Sequence, residues 1–176
     1  MPVTTKDELL RLMATHYDAL SILLMNLNDA QLNQPNVIGT WSVKDMVAHL
    51  IAHEQRALRE LEAAKRGEAI QQSTLSADDF NARFVTEGAK RSPKVMLLAW
   101  GASFRQLLNA VGTLDNAAFE TGSSVQVALG DTIEGAVANN SYEHYQEHLP
   151  EIKAWMEKNG ISTSVPIQQE NPYLKK

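Results

Sequence analysis

Residues 42–67 read SVKDMVAHLIAHEQRALRELEAAKRG, an amphipathic helix with both ends written into it. Ser42 followed three residues later by Asp45 is a capping-box pattern, and Gly67 supplies the stop. Between them Val43, Met46, Val47, Leu50 and Leu61 trace one apolar stripe. His49 and His53, four residues apart, lie on the flank of that stripe beside Met46. At this spacing Cβ atoms are about 5–6 Å apart, so the two imidazoles can address one point in space.

The neighbouring segments carry the same kind of punctuation. Thr5 with Glu8 opens a first helix over residues 5 to 28, with Leu9, Leu12, Leu20, Leu23 and Leu27 on one face, until Asn33 to Pro35 breaks it. Ser76 with Asp79 starts a short helix bearing Phe80 and Phe84. Ser92-Pro93 reads as N-cap and N1 of a further helix ending near Gly112. Residues 113 to 131 read as irregular connection with a β-like run from Val125 to Leu129. Asp131 with Glu134 opens a last helix carrying Ile133, Val137, His144, His148, Ile152 and Trp155 to Gly160. Pro150 removes the bond to the Gln146 carbonyl, which predicts a bend or local opening half a turn past His148.

Four long helices with connections too long for a simple up-and-down series predict an all-α fold, a four-helix bundle with a long crossover connection. Residues 1–160 form that single domain, and residues 161–176 are a polar, extended C-terminal tail that docks onto another surface. The 176 residues, 44% hydrophobic, suffice for one core. There is no cysteine, so thiolate metal sites and a cysteine nucleophile are excluded. With 21 acids against 16 Lys and Arg, and basic clusters no longer than Lys65-Arg66 and Lys90-Arg91, the sequence predicts no nucleic-acid partner. It also predicts no membrane association and a cytoplasmic location, because neither a signal-peptide pattern nor an apolar run of about 20 residues is present.

Only five histidines occur in the chain, and two pairs stand at helical spacing: His49 with His53, and His144 with His148. His144 and His148 fall within about 40° of each other at the centre of the last helix's apolar stripe. The pairs predict a metal site, and without cysteine any metal must be held by nitrogen and oxygen. His16, between Leu12 and Leu20, reads as a core or supporting residue. A di-iron site built on Glu-x-x-His is excluded, since Met46, Leu50, Ser141 and Tyr145 stand three residues before the four paired histidines. Residues 144–148, HYQEH, match H-x-x-E-H, in which the histidines bind zinc and the glutamate is a general base.

Glu147 and Glu54 are therefore the catalytic candidates. Glu54 falls in the middle of its helix's apolar stripe, where a carboxylate has a raised pKa and needs a partner, so an ion pair with a neighbouring helix competes with catalysis. Tyr145 and Asn140, the latter one turn before His144, are candidates for lining a substrate pocket. Trp41 anchors the entry to its helix and is the third candidate for that lining.

The string Gly39-Thr40-Trp41-Ser42-Val43-Lys44-Asp45 followed by His49, together with residues 144–148, Ile152 and Trp155, resembles the DinB/YfiT-like superfamily. The segment Asp78-Asp79-Phe80-Asn81 and the tyrosine-rich histidine pair are most similar to its ClbS/DfsB-like branch. The resemblance covers most of residues 1 to 158. It implies a four-helix bundle holding a divalent metal, zinc or nickel, on His49, His144 and His148, a choice of His49 over His53 that spacing alone leaves open. It further implies an enzyme that modifies or hydrolyses a small electrophilic molecule, as in ClbS-like resistance. Relatives that are thiol-dependent S-transferases and isomerases make an S-transferase the alternative, beside a non-catalytic bundle that sequesters a small molecule. Homodimers are common among relatives, so a homodimer is expected.

Overall fold

The computed structural model describes residues 5–70 and 74–164. Among the described residues every regular element is helical: α1 (Lys6–Met25), α2 (Asp29–Leu32), α3 (Val43–Lys65), α4 (Ala77–Ala89), α5 (Pro93–Gly112), a 3-10 turn (Asn116–Phe119), α6 (Ser124–Leu129), α7 (Ile133–Ala138) and α8 (Tyr142–Lys158). Helix α3 is the hub, packing on α4, α5, α6, α7 and α8, while α1 lies against α5 and α8. No described helix is long and apolar enough to cross a membrane.

Local chemistry accounts for most helix starts. At α3 the Ser42 hydroxyl accepts from the Asp45 amide and the Asp45 carboxylate accepts from the Ser42 amide, a complete capping box. Thr5, Ser76 and Ser92 cap α1, α4 and α5 with single bonds. Pro93 stands at the start of α5 as its sequence position requires. Only the start of the tail is described: Asn26, at the end of α1, donates to the carbonyls of Ser162 and Ser164. Residues 165–176 lie outside the described residues.

Three expectations are corrected. The run Val125 to Leu129 is helical, not β-like: Ser123 caps it, and Gly130 ends it with φ of 69° in the left-handed region that glycine enters freely. The last helix is two helices, α7 and α8, interrupted at residues 139–141. There Ser141 adopts φ −142° and ψ −105° and bonds the Val137 carbonyl through its hydroxyl. Helix α8 then runs through Pro150 without interruption. His16 is half-buried rather than in the core, bonded to the Gln146 amide and stacked on Tyr142 at 5.9 Å.

The core is an aromatic column between α1, α5 and α8. Tyr17 stacks on Phe104 with centroids 3.9 Å apart and meets Trp100 at 4.6 Å, with Leu9, Met13, Leu20 and Leu107 fully buried around them. Such ring pairs contribute about 0.5–1.5 kcal/mol each beyond the area they bury. The α3–α4 contact is equally close. A Cβ built on Gly88 would stand 2.7 Å from the Ala48 Cβ, so only glycine lets α4 approach this near. Gly88→Val should cost about 1–3 kcal/mol, read by urea unfolding, and should shift the Asn81 amide signal because α4 is pushed outward.

Candidate metal centre

Four of the five histidines meet where α3 faces α8, roofed by α4. His49 and His144 are buried, with their Nε2 atoms 2.8 Å apart. His53 lies 4.5 Å, centroid to centroid, from both the His49 and the His144 rings. The nitrogens of His49, His53 and His144 come within 4.8 Å of one another, a set that could hold a metal ion. His148 stands just behind, its ring 5.0 Å from His144 and 5.6 Å from His49.

Two asparagines orient the α3 rings. The Nδ1–H of His49 donates to Asn81 Oδ1 at 2.8 Å, and that of His53 donates to Asn140 Oδ1 at 3.1 Å. Asn140 Nδ2 donates to the Ala136 carbonyl, which settles which way its amide faces. Both bonds leave the Nε2 lone pairs for the centre of the cluster. The break between α7 and α8 puts Asn140 in this place, so the irregular backbone serves the site. His148 Nδ1 lies 3.0 Å from the Glu151 carboxylate, while His148 Nε2 and His144 Nδ1 are buried with no hydrogen-bond partner.

Electrostatics keep these rings neutral. Burial, then the proximity of His53 and His148, lowers the His49 pKa from 6.5 to about 4. Burial, then His53 and His49, lowers that of His144 to about 2, and burial lowers His53 as well. A neutral imidazole has the lone pair a metal needs. An all-nitrogen set of neutral imidazoles is a donor set that a divalent metal ion can use.

The other expected site residues divide. Trp41 walls the cluster, its ring 5.1 Å from that of His49, held there by the tight turn in which the Trp41 amide donates to the Ile38 carbonyl. Asn140 reaches the cluster through His53. Tyr145 and Glu54 do not line a pocket: both are fully buried beneath it, Tyr145 donating to Glu54 Oε1 at 2.6 Å and Trp100 Nε1–H donating to the same oxygen at 2.7 Å. Glu54 thus meets neutral hydroxyl and indole donors, Ser103 among them, in place of the expected ion pair, and desolvation pushes its pKa up to about 7. Glu147 is exposed on α8 and is not brought to the histidines. Sequence reasoning missed Asn81 as an orienting residue and Phe80, whose ring stands 5.5 Å from His53. The only signal for them was their presence in the segment that carried the resemblance.

Three solved structures share this fold. The colibactin self-resistance protein ClbS, in complex with a dsDNA, aligns at TM-score 0.75 and 14% identity, over 89% of this chain and 98% of ClbS. DfsB, described as a sibling lethal factor precursor, aligns at TM-score 0.77 and 15% identity, over 90% and 99%. An uncharacterised protein from Escherichia coli UTI89 aligns at 0.70 and 16%, over 90% and 96%. No curated protein matches the sequence. The ClbS complex overturns the expectation that excluded nucleic acid, because a protein of this fold is there bound to duplex DNA. A formal net charge says nothing of where cations gather on a surface, so it was too coarse for that exclusion. The mycothiol maleylpyruvate isomerase N-terminal domain model matches residues 14–134, a span that includes His49 and His53. With more than half of its length so matched, the chain belongs to the mycothiol maleylpyruvate isomerase N-terminal domain family, and it shares the all-helical, DinB/YfiT-like fold of ClbS and DfsB.

Proposed function

We propose that this protein is a metal-dependent enzyme that modifies a small electrophilic molecule by adding water or a thiol to it. One observation carries the reading: four imidazole rings crowd around the buried His49–His144 contact, each with its centroid 4.5–5.6 Å from a neighbour's, and His148 Nε2 and His144 Nδ1 are buried without a hydrogen-bond partner. A desolvated polar atom left unpaired costs about 1–3 kcal/mol, a cost that ligation offsets.

The ligand set we assign is His49, His144 and His148. His148 is chosen over His53 as third ligand because its Nε2 is fully buried and unpartnered, and because Glu151 holds its Nδ1 as carboxylates orient metal-binding imidazoles. His53, fixed by Asn140, is then the nearest group able to accept a proton from an attacking water or thiol. Zinc or nickel bound here would supply Lewis acidity, with three protein ligands leaving a position open. Trp41 and Phe80 set aromatic rings against His49 and His53.

Elemental analysis of protein made without a His-tag or added metal tests this. Wild type should carry near-stoichiometric zinc or nickel, His148→Ala should lose it, and His53→Ala should keep it. Metal lost in His53→Ala but kept in His148→Ala would make His53 the third ligand. No metal in wild type, even after excess zinc or nickel, would sink the proposal.

A further inference from the structure

The face of α3 that bears the histidines continues past them into a second feature. A groove of about 630 Å³ lies between α3 and α4, with Arg56, Arg59 and Arg83 on its walls and Phe80 and Phe84 as its apolar floor. Phe80 is common to both places: its ring is 5.5 Å from that of His53 and 4.9 Å from that of Phe84. On α3, Arg56 and Arg59 follow His53 by three and six residues, about 4.5 and 9 Å along the helix axis.

The groove has cationic charge to spare. Of its two carboxylates, Glu68 is held by Arg66 outside the groove at 2.7 and 2.8 Å, and Glu60 by Arg56 at 2.9 Å. Arg83 pairs through Nε with Glu87 at 3.3 Å and lies 5.9 Å from the Phe84 ring centre. Arg59 is exposed and makes no ion pair among the described residues. Guanidinium forks beside aromatic faces are suited to carboxylate or phosphate groups on a partly apolar ligand.

From this geometry we infer that the substrate or thiol cosubstrate carries an anionic group, which Arg59 and Arg83 hold in the α3–α4 groove while its reactive end lies at the histidine cluster. The inference rests on the proposed metal centre for the reactive end only. A small ligand is favoured over a nucleic-acid phosphate because the groove and the cluster share the Phe80 wall, so a short molecule can occupy both.

The test compares 6-mercaptohexanoate with 6-mercaptohexanol, whose six-carbon chain spans the interval from His53 to the arginines. Affinities are measured by calorimetry on zinc-supplied wild type, on an Arg59→Ala, Arg83→Ala variant, and on a His144→Ala, His148→Ala variant. The carboxylate should bind at least tenfold more tightly than the alcohol to wild type. That preference should vanish in the arginine variant with the alcohol's affinity unchanged, and persist in the histidine variant while both probes weaken.

Equal affinities in wild type, or a preference that survives loss of both arginines, would overturn the groove assignment. If the histidine variant binds both thiols as tightly as wild type, with the carboxylate preference intact, that would count against the metal centre and leave the groove standing. A short DNA duplex that displaces the carboxylate from wild type but not from the arginine variant would reassign the groove to nucleic acid.

Discussion

Glu54→Ala at pH 6 lowers stability by about 3–4 kcal/mol, the largest effect expected of any single substitution beneath the site. The carboxyl is wholly buried, and its Oε1 accepts from both Trp100 and Tyr145. Alanine strands two buried donors at about 1–3 kcal/mol each and leaves a cavity. In a chain this long, that lowers the melting temperature by roughly 10 °C. Glu54→Gln keeps the oxygen that accepts both bonds, so near pH 4.5 it should match wild type within about 1 kcal/mol.

The same pair of variants yields a pH signature with a definite sign. Burial raises the folded-state pKa of Glu54 from 4.5 to about 7, so between these values the unfolded chain releases a proton that the folded chain retains. Wild type therefore loses this contribution as pH rises from 4.5 toward 7, by about 3 kcal/mol in total. Glu54→Gln has no such loss and should gain on wild type across that window in urea titrations. A constant difference from pH 4.5 to 7 would show that the carboxyl is not held protonated.

His144→Ala weakens metal binding by at least about a hundredfold, since altering even an outer partner of a ligand costs 10–100-fold. His144 is the natural target because its Nε2 touches that of His49 and its ring contacts those of His53 and His148. Competition against a chelating dye reads the affinity, and circular dichroism checks that helix content is kept. In wild type, zinc at a hundred times its Kd adds about 2.7 kcal/mol of stability, so removing it with a chelator should lower the melting temperature, while His144→Ala should not respond. A variant that binds zinc as tightly as wild type would dismiss the cluster as a metal centre.

Much of the site's scaffold was legible because helix ends are local. Ser42 with Asp45, Ser92-Pro93 and the stripes between them place α3 and α5 to within a residue or two, since a cap involves neighbours three residues apart. The histidine spacing likewise placed each pair on one helix face. The break at residues 139–141 was not legible, because Asp131 to Gly160 keeps one helical period throughout. What stops the helix there is the set of bonds that Asn140 and Ser141 make to Ala136, Val137 and His53. Val125 to Val127 misled because two β-branched residues at alternate positions imitate a strand, while the cap at Ser123 and the stop at Gly130 outweigh them.

By itself the sequence determined that the chain is helical, where α3 and α5 begin, that any metal would rest on nitrogen and oxygen, and that its histidines come in same-face pairs. These follow from bonds and periods spanning a turn or two. Only the tertiary structure decided that His53 joins the cluster, that Asn81 and Asn140 aim the rings, that Trp100 and Tyr145 are the partners of Glu54, and that Glu147 faces water. Each of those depends on which side chain a different helix presents across the gap. Residues 32 to 95 positions apart meet there, and no local pattern encodes such a meeting.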